Sequence, residues 1–105
     1  MKMTFVWFRR AGLTHEQALA EWHGGKHTAI VRKIPGLKKW VQNHSAELPN
    51  ATAADGIGEL WFNSAEAMQQ AFASPEGIAG MEDGKRFADM EKTYALVVDE
   101  KIVIG

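Results

Sequence analysis

Leu37 to Phe62 reads LKKWVQNHSAELPNATAADGIGELWF. Two strand-like runs, Leu37 to His44 and Ile57 to Phe62, flank Ser45 to Gly56, a polar loop of small residues. Alternation along the first run places Trp40, Gln42 and His44 on one face and Val41 and Asn43 on the other. The middle of the chain is therefore strand, loop, strand, and the segments on either side decide the fold.

Upstream, Met3 to Phe8 (MTFVWF) is rich in aromatic and β-branched residues and reads as a buried strand. Gly12 breaks it. Thr14 stands three residues before Gln17, a capping box, with Leu13 placed to staple onto Ala18. The helix that starts there carries an apolar stripe of Ala18, Leu19, Trp22, Ile30, Val31 and Ile34. Gly24 and Gly25 interrupt it at a cost of about 1 kcal/mol each, which predicts a bend, and Pro35-Gly36 ends it. Downstream, Asn63 or Ser64 caps a helix bearing Ala65, Met68, Ala71 and Phe72 that stops at Ser74-Pro75. Glu76 to Met90 is weakly helical, Tyr94 to Val98 is a fourth strand, and Ile102 to Ile104 is a short tail strand. The order β-α-β-β-α-β predicts an α+β, ferredoxin-like domain with one antiparallel four-stranded sheet and both helices on one face.

A chain of 105 residues has room for one domain, taken as 1–105. Hydrophobic residues at 46% and charged residues at 24% support a packed core. A net charge of −1 offers no field for phosphate backbones, so no nucleic-acid partner is expected. The absence of cysteine removes disulfides, thiolate nucleophiles and Cys-type metal sites. Met3 to Phe8 is too short for a signal segment, and no apolar run approaches ~20 residues, so a cytoplasmic protein without membrane contact is expected. Strands one and four are apolar on both faces while helices cover only one. A homodimer is expected, with two sheets facing each other around a partly apolar cavity for a small hydrophobic or aromatic ligand.

The strongest constellation of chemical groups is EWHGGKHTAIVRKIPGLKKWVQNH, residues 21–44. His23 and His27 are four apart and would share a face of a continuous helix, about 6 Å apart along its axis. His44 ends the following strand. Imidazole both takes and returns a proton near neutrality, so His27, with His23 and His44, is the candidate acid/base set for enolising or protonating a carbonyl compound. The ordinary alternative is a histidine that caps a turn or sits at the surface, as expected for His15 in an exposed first turn. The i,i+4 pair lacks the Glu of H-E-x-x-H, and no bound metal is expected. Trp40 and Trp61 are the candidate cavity wall, with Trp22 beside them. Glu59 shares a face with Trp61 and points to a polar rim or into the cavity. Neither glycine-rich phosphate motif is present, so no cofactor is expected.

Together, MTFVWFRRAGLTHEQ, His27 followed by IVRKIPGLKKWVQNH, DGIGELWFNSAEAM and the later ASPEG resemble the EthD family of the dimeric α+β barrel superfamily, over essentially the whole chain. Members typically carry a helix histidine eight residues before the Pro of a Pro-Gly turn, where His27 stands relative to Pro35. The resemblance implies proton transfer at His27, as in members similar to methylmuconolactone isomerases and fungal anthraquinone-pathway dehydratases and decarboxylases. Members often have an aromatic residue where this chain has His23, which makes His23 a second candidate. The family's founding context, ether-fuel degradation beside a cytochrome P450 system, is the source of its oxidoreductase label. The expected function is cofactor-free acid/base catalysis on a small cyclic or aromatic carbonyl compound by an isomerase, dehydratase or decarboxylase. The alternatives are an oxidoreductase or cofactor-free monooxygenase of a quinol-type or ether-degradation substrate, or a non-catalytic ligand-binding accessory protein.

Overall fold

A computed structural model describes residues 1–46 and 54–105; most of the loop expected at Ser45 to Gly56 lies outside the described residues. Eight elements follow in order: β1 (Lys2–Trp7), α1 (His15–His23), α2 (Gly25–Val31), β2 (Lys39–His44), β3 (Gly56–Trp61), α3 (Ala65–Ala73), α4 (Pro75–Gly84) and β4 (Tyr94–Val98). The strands form one sheet in the order β2-β3-β1-β4, with every neighbouring pair antiparallel. This is the ferredoxin-like arrangement read from the sequence.

The first expected helix is two, and the weakly helical stretch after Ser74-Pro75 is a helix of its own. Thr14 closes the expected capping box with Gln17 and starts α1. At Gly24 the backbone turns extended (φ −64°, ψ 155°), which ends α1 and starts α2 as a new helix instead of bending one. Ser74 does the same for α3 and α4: its hydroxyl accepts from Gly77 N (3.0 Å), and Pro75 occupies the first position of α4, where a missing N–H costs nothing. The Ser-Pro that stops one helix thus starts the next, and helix ends at Gly84 instead of running to Met90. Ile102 to Ile104 form no strand. No neighbouring strand pairs with them, and they stand 79–95% exposed.

Register fixes what each face carries. Met3, Phe5 and Trp7 of β1 point to the helices with Leu60, Gly58 and Gly56 of β3 and Trp40, Gln42 and His44 of β2. Lys2, Thr4 and Val6 point away, so β1 is less apolar on its open face than its composition suggests. β4 keeps the open face apolar at Tyr94 and Leu96, both 52% exposed. Between sheet and helices lie two buried clusters, one of Val31, Ile34, Leu60, Phe62, Met68 and Ala71, the other of Trp7, Ala18, Trp22, Phe87 and Ala88.

Gly77 fixes how closely α4 approaches α3. A Cβ there would overlap the carbonyl oxygen of Ala71 and come within 2.9 Å of Phe72 Cα, both backbone atoms that cannot swing aside. Gly77→Ala is expected to destabilise the protein by about 3 kcal/mol. Chemical denaturation of the two proteins checks this; an unchanged midpoint would mean that α4 slides freely.

Candidate functional site

His27 lies in α2, one turn after the break at Gly24, and is 6% exposed. Its Nδ1 is 2.9 Å from Asp83 Oδ2 on α4. Asp83 is itself gripped by the fork of Arg86, Nε to Oδ1 at 2.7 Å and Nη2 to Oδ2 at 3.0 Å. The guanidinium also reaches Glu21 on α1, so one chain of charges ties α1, α2 and α4 together. Arg86, seconded by His27, overcomes burial and holds the Asp83 carboxyl down at about 2. An ionised carboxylate only accepts, so His27 Nδ1 is the donor. Burial lowers the His27 pKa and outweighs the raising effect of Asp83, so the ring is neutral at pH 7 with its lone pair on Nε2. Nε2 has no hydrogen-bond partner among the described residues.

The ring borders a cavity of about 100 Å³ between the helices and the sheet. Phe87 and Trp40 stand edge-on to the imidazole, with centroids at 5.0 and 6.0 Å. Trp7, Trp22, Phe5 and Leu60 complete the surroundings, and the walls are almost wholly apolar. The Trp7 indole N–H is buried without a hydrogen-bond acceptor among the described residues; the ring meets Trp22 edge-on at 5.1 Å. The site thus offers one basic nitrogen, anchored from behind, in an apolar aromatic-lined hollow. Such a group can take a proton from a bound carbon acid and return it.

Of the residues singled out in the sequence, His27, Trp22 and Trp40 line this cavity. His23 and His44 do not. The break at Gly24 destroys the i,i+4 relation that would have put His23 beside His27. His23 Nδ1 and His44 Nε2 instead meet the same acceptor, Gln42 Oε1, at 3.1 and 2.9 Å. The two rings are 5.6 Å apart, and His44 lies over the indole of Trp22 at 5.0 Å. Burial, then the charges of His23 and His15, lowers the pKa of His44. Trp61 and Glu59 stand on the open face of the sheet, because alternation along β3 sends 56, 58 and 60 to the helices and 57, 59 and 61 away. Trp61 therefore cannot wall one cavity with Trp40. Its ring lies between the ammonium groups of Lys2 (5.1 Å) and Lys39 (4.7 Å), and Glu59 accepts from Lys2 Nζ and Asn43 Nδ2, both at 2.8 Å.

His15 is not the free surface residue expected of a first helical turn. Its Nδ1 is 2.6 Å from Asp55 Oδ1 and its Nε2 3.0 Å from the carbonyl of Ser45. Asp55, 1% exposed, also accepts from the Arg9 backbone (2.7 Å) and guanidinium (2.9 Å), which tethers the starts of α1 and β3 to the chain after β1. Sequence reasoning missed Asp83, Arg86 and Asp55. The Asp83–Arg86 spacing of three is legible as a helical pair, but nothing local marks Asp83 as facing a histidine 56 positions away. Among the described residues no three His, Asp or Glu side chains come together as a metal-binding group.

The EthD domain profile matches residues 10–91. The chain belongs to the EthD family. An uncharacterized 11.0 kDa protein from the thcB-thcC intergenic region of Rhodococcus erythropolis is 34% identical to this EthD chain over 88 residues, 83% of this chain and 84% of that protein. The crystal structure of an EthD family protein from Bacillus halodurans superposes with a TM-score of 0.77 at 24% identity, covering 96% of this chain and 99% of that one. A dimeric ferredoxin-like protein of unknown function from Bacteroides fragilis has a TM-score of 0.68 at 13% identity, covering 90% of each chain. No helix among the described residues of this EthD chain is long and apolar enough to cross a membrane.

Proposed function

We propose that this EthD domain is a cofactor-free enzyme that moves a proton on a small cyclic or aromatic carbonyl compound, as an isomerase, dehydratase or decarboxylase does. The observation that carries this is the buried His27, held through Nδ1 by Asp83, its Nε2 without a partner among the described residues and beside an aromatic cavity. In an isomerase, His27 Nε2 removes a proton from the carbon next to the carbonyl and returns it at another position; in a dehydratase it passes that proton to the departing hydroxide, which leaves as water; in a decarboxylase the protonated ring delivers its proton to the carbon that loses CO2. Asp83 fixes the tautomer and stabilises the imidazolium that forms in between. A binding protein of the same shape needs the aromatic wall but not the His27–Asp83 pair.

Exchange of the hydrogens next to the carbonyl of 2-tetralone in D2O, followed by NMR, tests this without knowledge of the natural substrate. The expected result is saturable exchange faster than buffer alone. Because burial lowers the His27 pKa, the neutral base persists below pH 6.5, and exchange should fall only when the pH drops through that lowered value. Exchange no faster than buffer at saturating protein removes the catalytic reading and leaves the binding one.

The open sheet face, with Tyr94 and Leu96 half-exposed, supports a homodimer built on this face, as does the dimeric Bacteroides fragilis relative in fold. Sedimentation is expected to give about 23 kDa at micromolar concentration, twice the 11.6 kDa of one chain. A soluble species of single-chain mass at that concentration rules the dimer out.

A further inference from the structure

A second hollow opens between α3 and strands β1 and β4, floored by Met3, Met68 and Val97. It shares Phe5, Phe72 and Met81 with the His27 cavity, so these three side chains are the partition between the two. Phe5 and Phe72 meet edge-on at 6.1 Å and form the sill between them; Met81, 38% exposed, stands above. Methionine is the unbranched, pliable side chain best suited to shift aside for a ligand that spans both.

The chemistry of the walls restricts what can lie there. None of the eighteen residues lining the His27 cavity is Lys, Arg, Asp or Glu. Asp83 and Arg86 sit behind the imidazole and already satisfy each other. A carboxylate or ammonium on the ligand would lose its water and gain no counterion. The second hollow is also apolar apart from Gln69.

The cavity is kept open at a cost to helix propensity. Gly77, Gly80 and Gly84 all line it from α4, at a spacing that puts them on one helix face. Packing explains Gly77, but a Cβ on Gly80 would make only ordinary contacts with Ile34 and Val31, and one on Gly84 would meet nothing within 4 Å. Space that side chains could fill is left empty in front of His27.

We infer that the two hollows form one head-and-tail site for an uncharged ring compound bearing an apolar tail. The ring lies against His27 and the tail passes the Phe5–Phe72 sill into the hollow beside Val97. This rests on the His27 cavity being the ligand site, and of the three proposed reactions it fits the isomerase and the dehydratase, whose substrates can be uncharged, and not the decarboxylase, whose substrate is a carboxylate.

Isothermal titration calorimetry at pH 7 with 4-alkylphenols from 4-methylphenol to 4-hexylphenol tests the proposal. Affinity is expected to rise about threefold to fourfold per methylene along the series. 4-Hexylbenzoate, of similar length but anionic, is expected to bind at least tenfold more weakly than 4-hexylphenol. Val97, 58% exposed, tolerates substitution without loss of the fold, which a thermal melt verifies. In Val97→Glu the gain per methylene should disappear; in Ala65→Glu, at the first turn of α3 where an acidic residue suits the helix, it should shrink in the same way. Equal affinity for all chain lengths, or a gain that survives both substitutions, overturns the tail site. Tight binding of the benzoate overturns the uncharged class, and failure of every phenol to bind overturns both. Graded binding of the phenols without catalysed 2-tetralone exchange would instead sink the proton-transfer reading and leave this site standing.

Discussion

His27→Gln is expected to slow catalysed exchange of 2-tetralone hydrogens by ~10²–10⁴-fold, the usual loss when a positioned acid/base is removed. Glutamine is close to histidine in reach, and its amide N–H can donate to Asp83 as Nδ1 does, so the Asp83–Arg86 fork stays satisfied. What it lacks is a group that titrates. Ligand affinity should change little and the thermal midpoint by only a few degrees, because no buried charge is left unpaired. The competing outcome has a distinct signature. A histidine that merely packs between Phe87 and Trp40 would, when replaced, lower stability by roughly 1–3 kcal/mol and leave exchange per folded molecule intact. Early melting with normal exchange would therefore remove His27 from the chemistry.

Asp83→Asn acts on the same step from behind. The carboxylate only accepts, which keeps the proton on Nδ1 and the lone pair on Nε2. An asparagine amide can donate to Nδ1, and the imidazole then carries its proton on Nε2, facing the substrate with nothing to accept. Exchange is expected to fall by ~10²-fold or more, with affinity for the ring compound preserved. This variant must also lose stability, since Arg86 keeps its charge and loses the partner of its fork. Arg86 is 31% exposed on its side chain and retains Glu21, which limits the loss to about 2 kcal/mol. The pH dependence separates this loss from a packing defect. The Asp83 pKa falls from 3.8 to about 2 on folding, so its contribution is fully present above pH 3.8 and is lost as the pH drops to about 2. Asp83→Asn should flatten the stability curve in that acid window. If the difference between the two proteins persists unchanged at pH 2, the carboxylate charge is not what Asp83 contributes.

Local rules were enough for the architecture. The alternation in Lys39–His44 and Gly56–Trp61, the Thr14–Gln17 box and the breakers at Pro35-Gly36 and Ser74-Pro75 each act within a few residues, and their order admits one sheet topology. The resemblance to the EthD family singled out the histidine eight residues before Pro35, and the structure buries it. Where local reading went astray, long-range packing had altered a local relation. Gly24 broke a helix that propensity only weakens, and the break sent His23 to Gln42 and His27 to Asp83. Alternation separated Glu59 from Leu60 correctly, but which set faced the helices depended on how the sheet meets α2 and α4. The sequence by itself determined the order of elements and the sheet, because hydrophobic periodicity and capping are short-range. Only the tertiary structure decided that Asp83 and Arg86 stand behind His27, and that Phe5, Phe72 and Met81 border two hollows at once. Those contacts depend on how closely α4 settles on α2 and α3, which no spacing along the chain encodes.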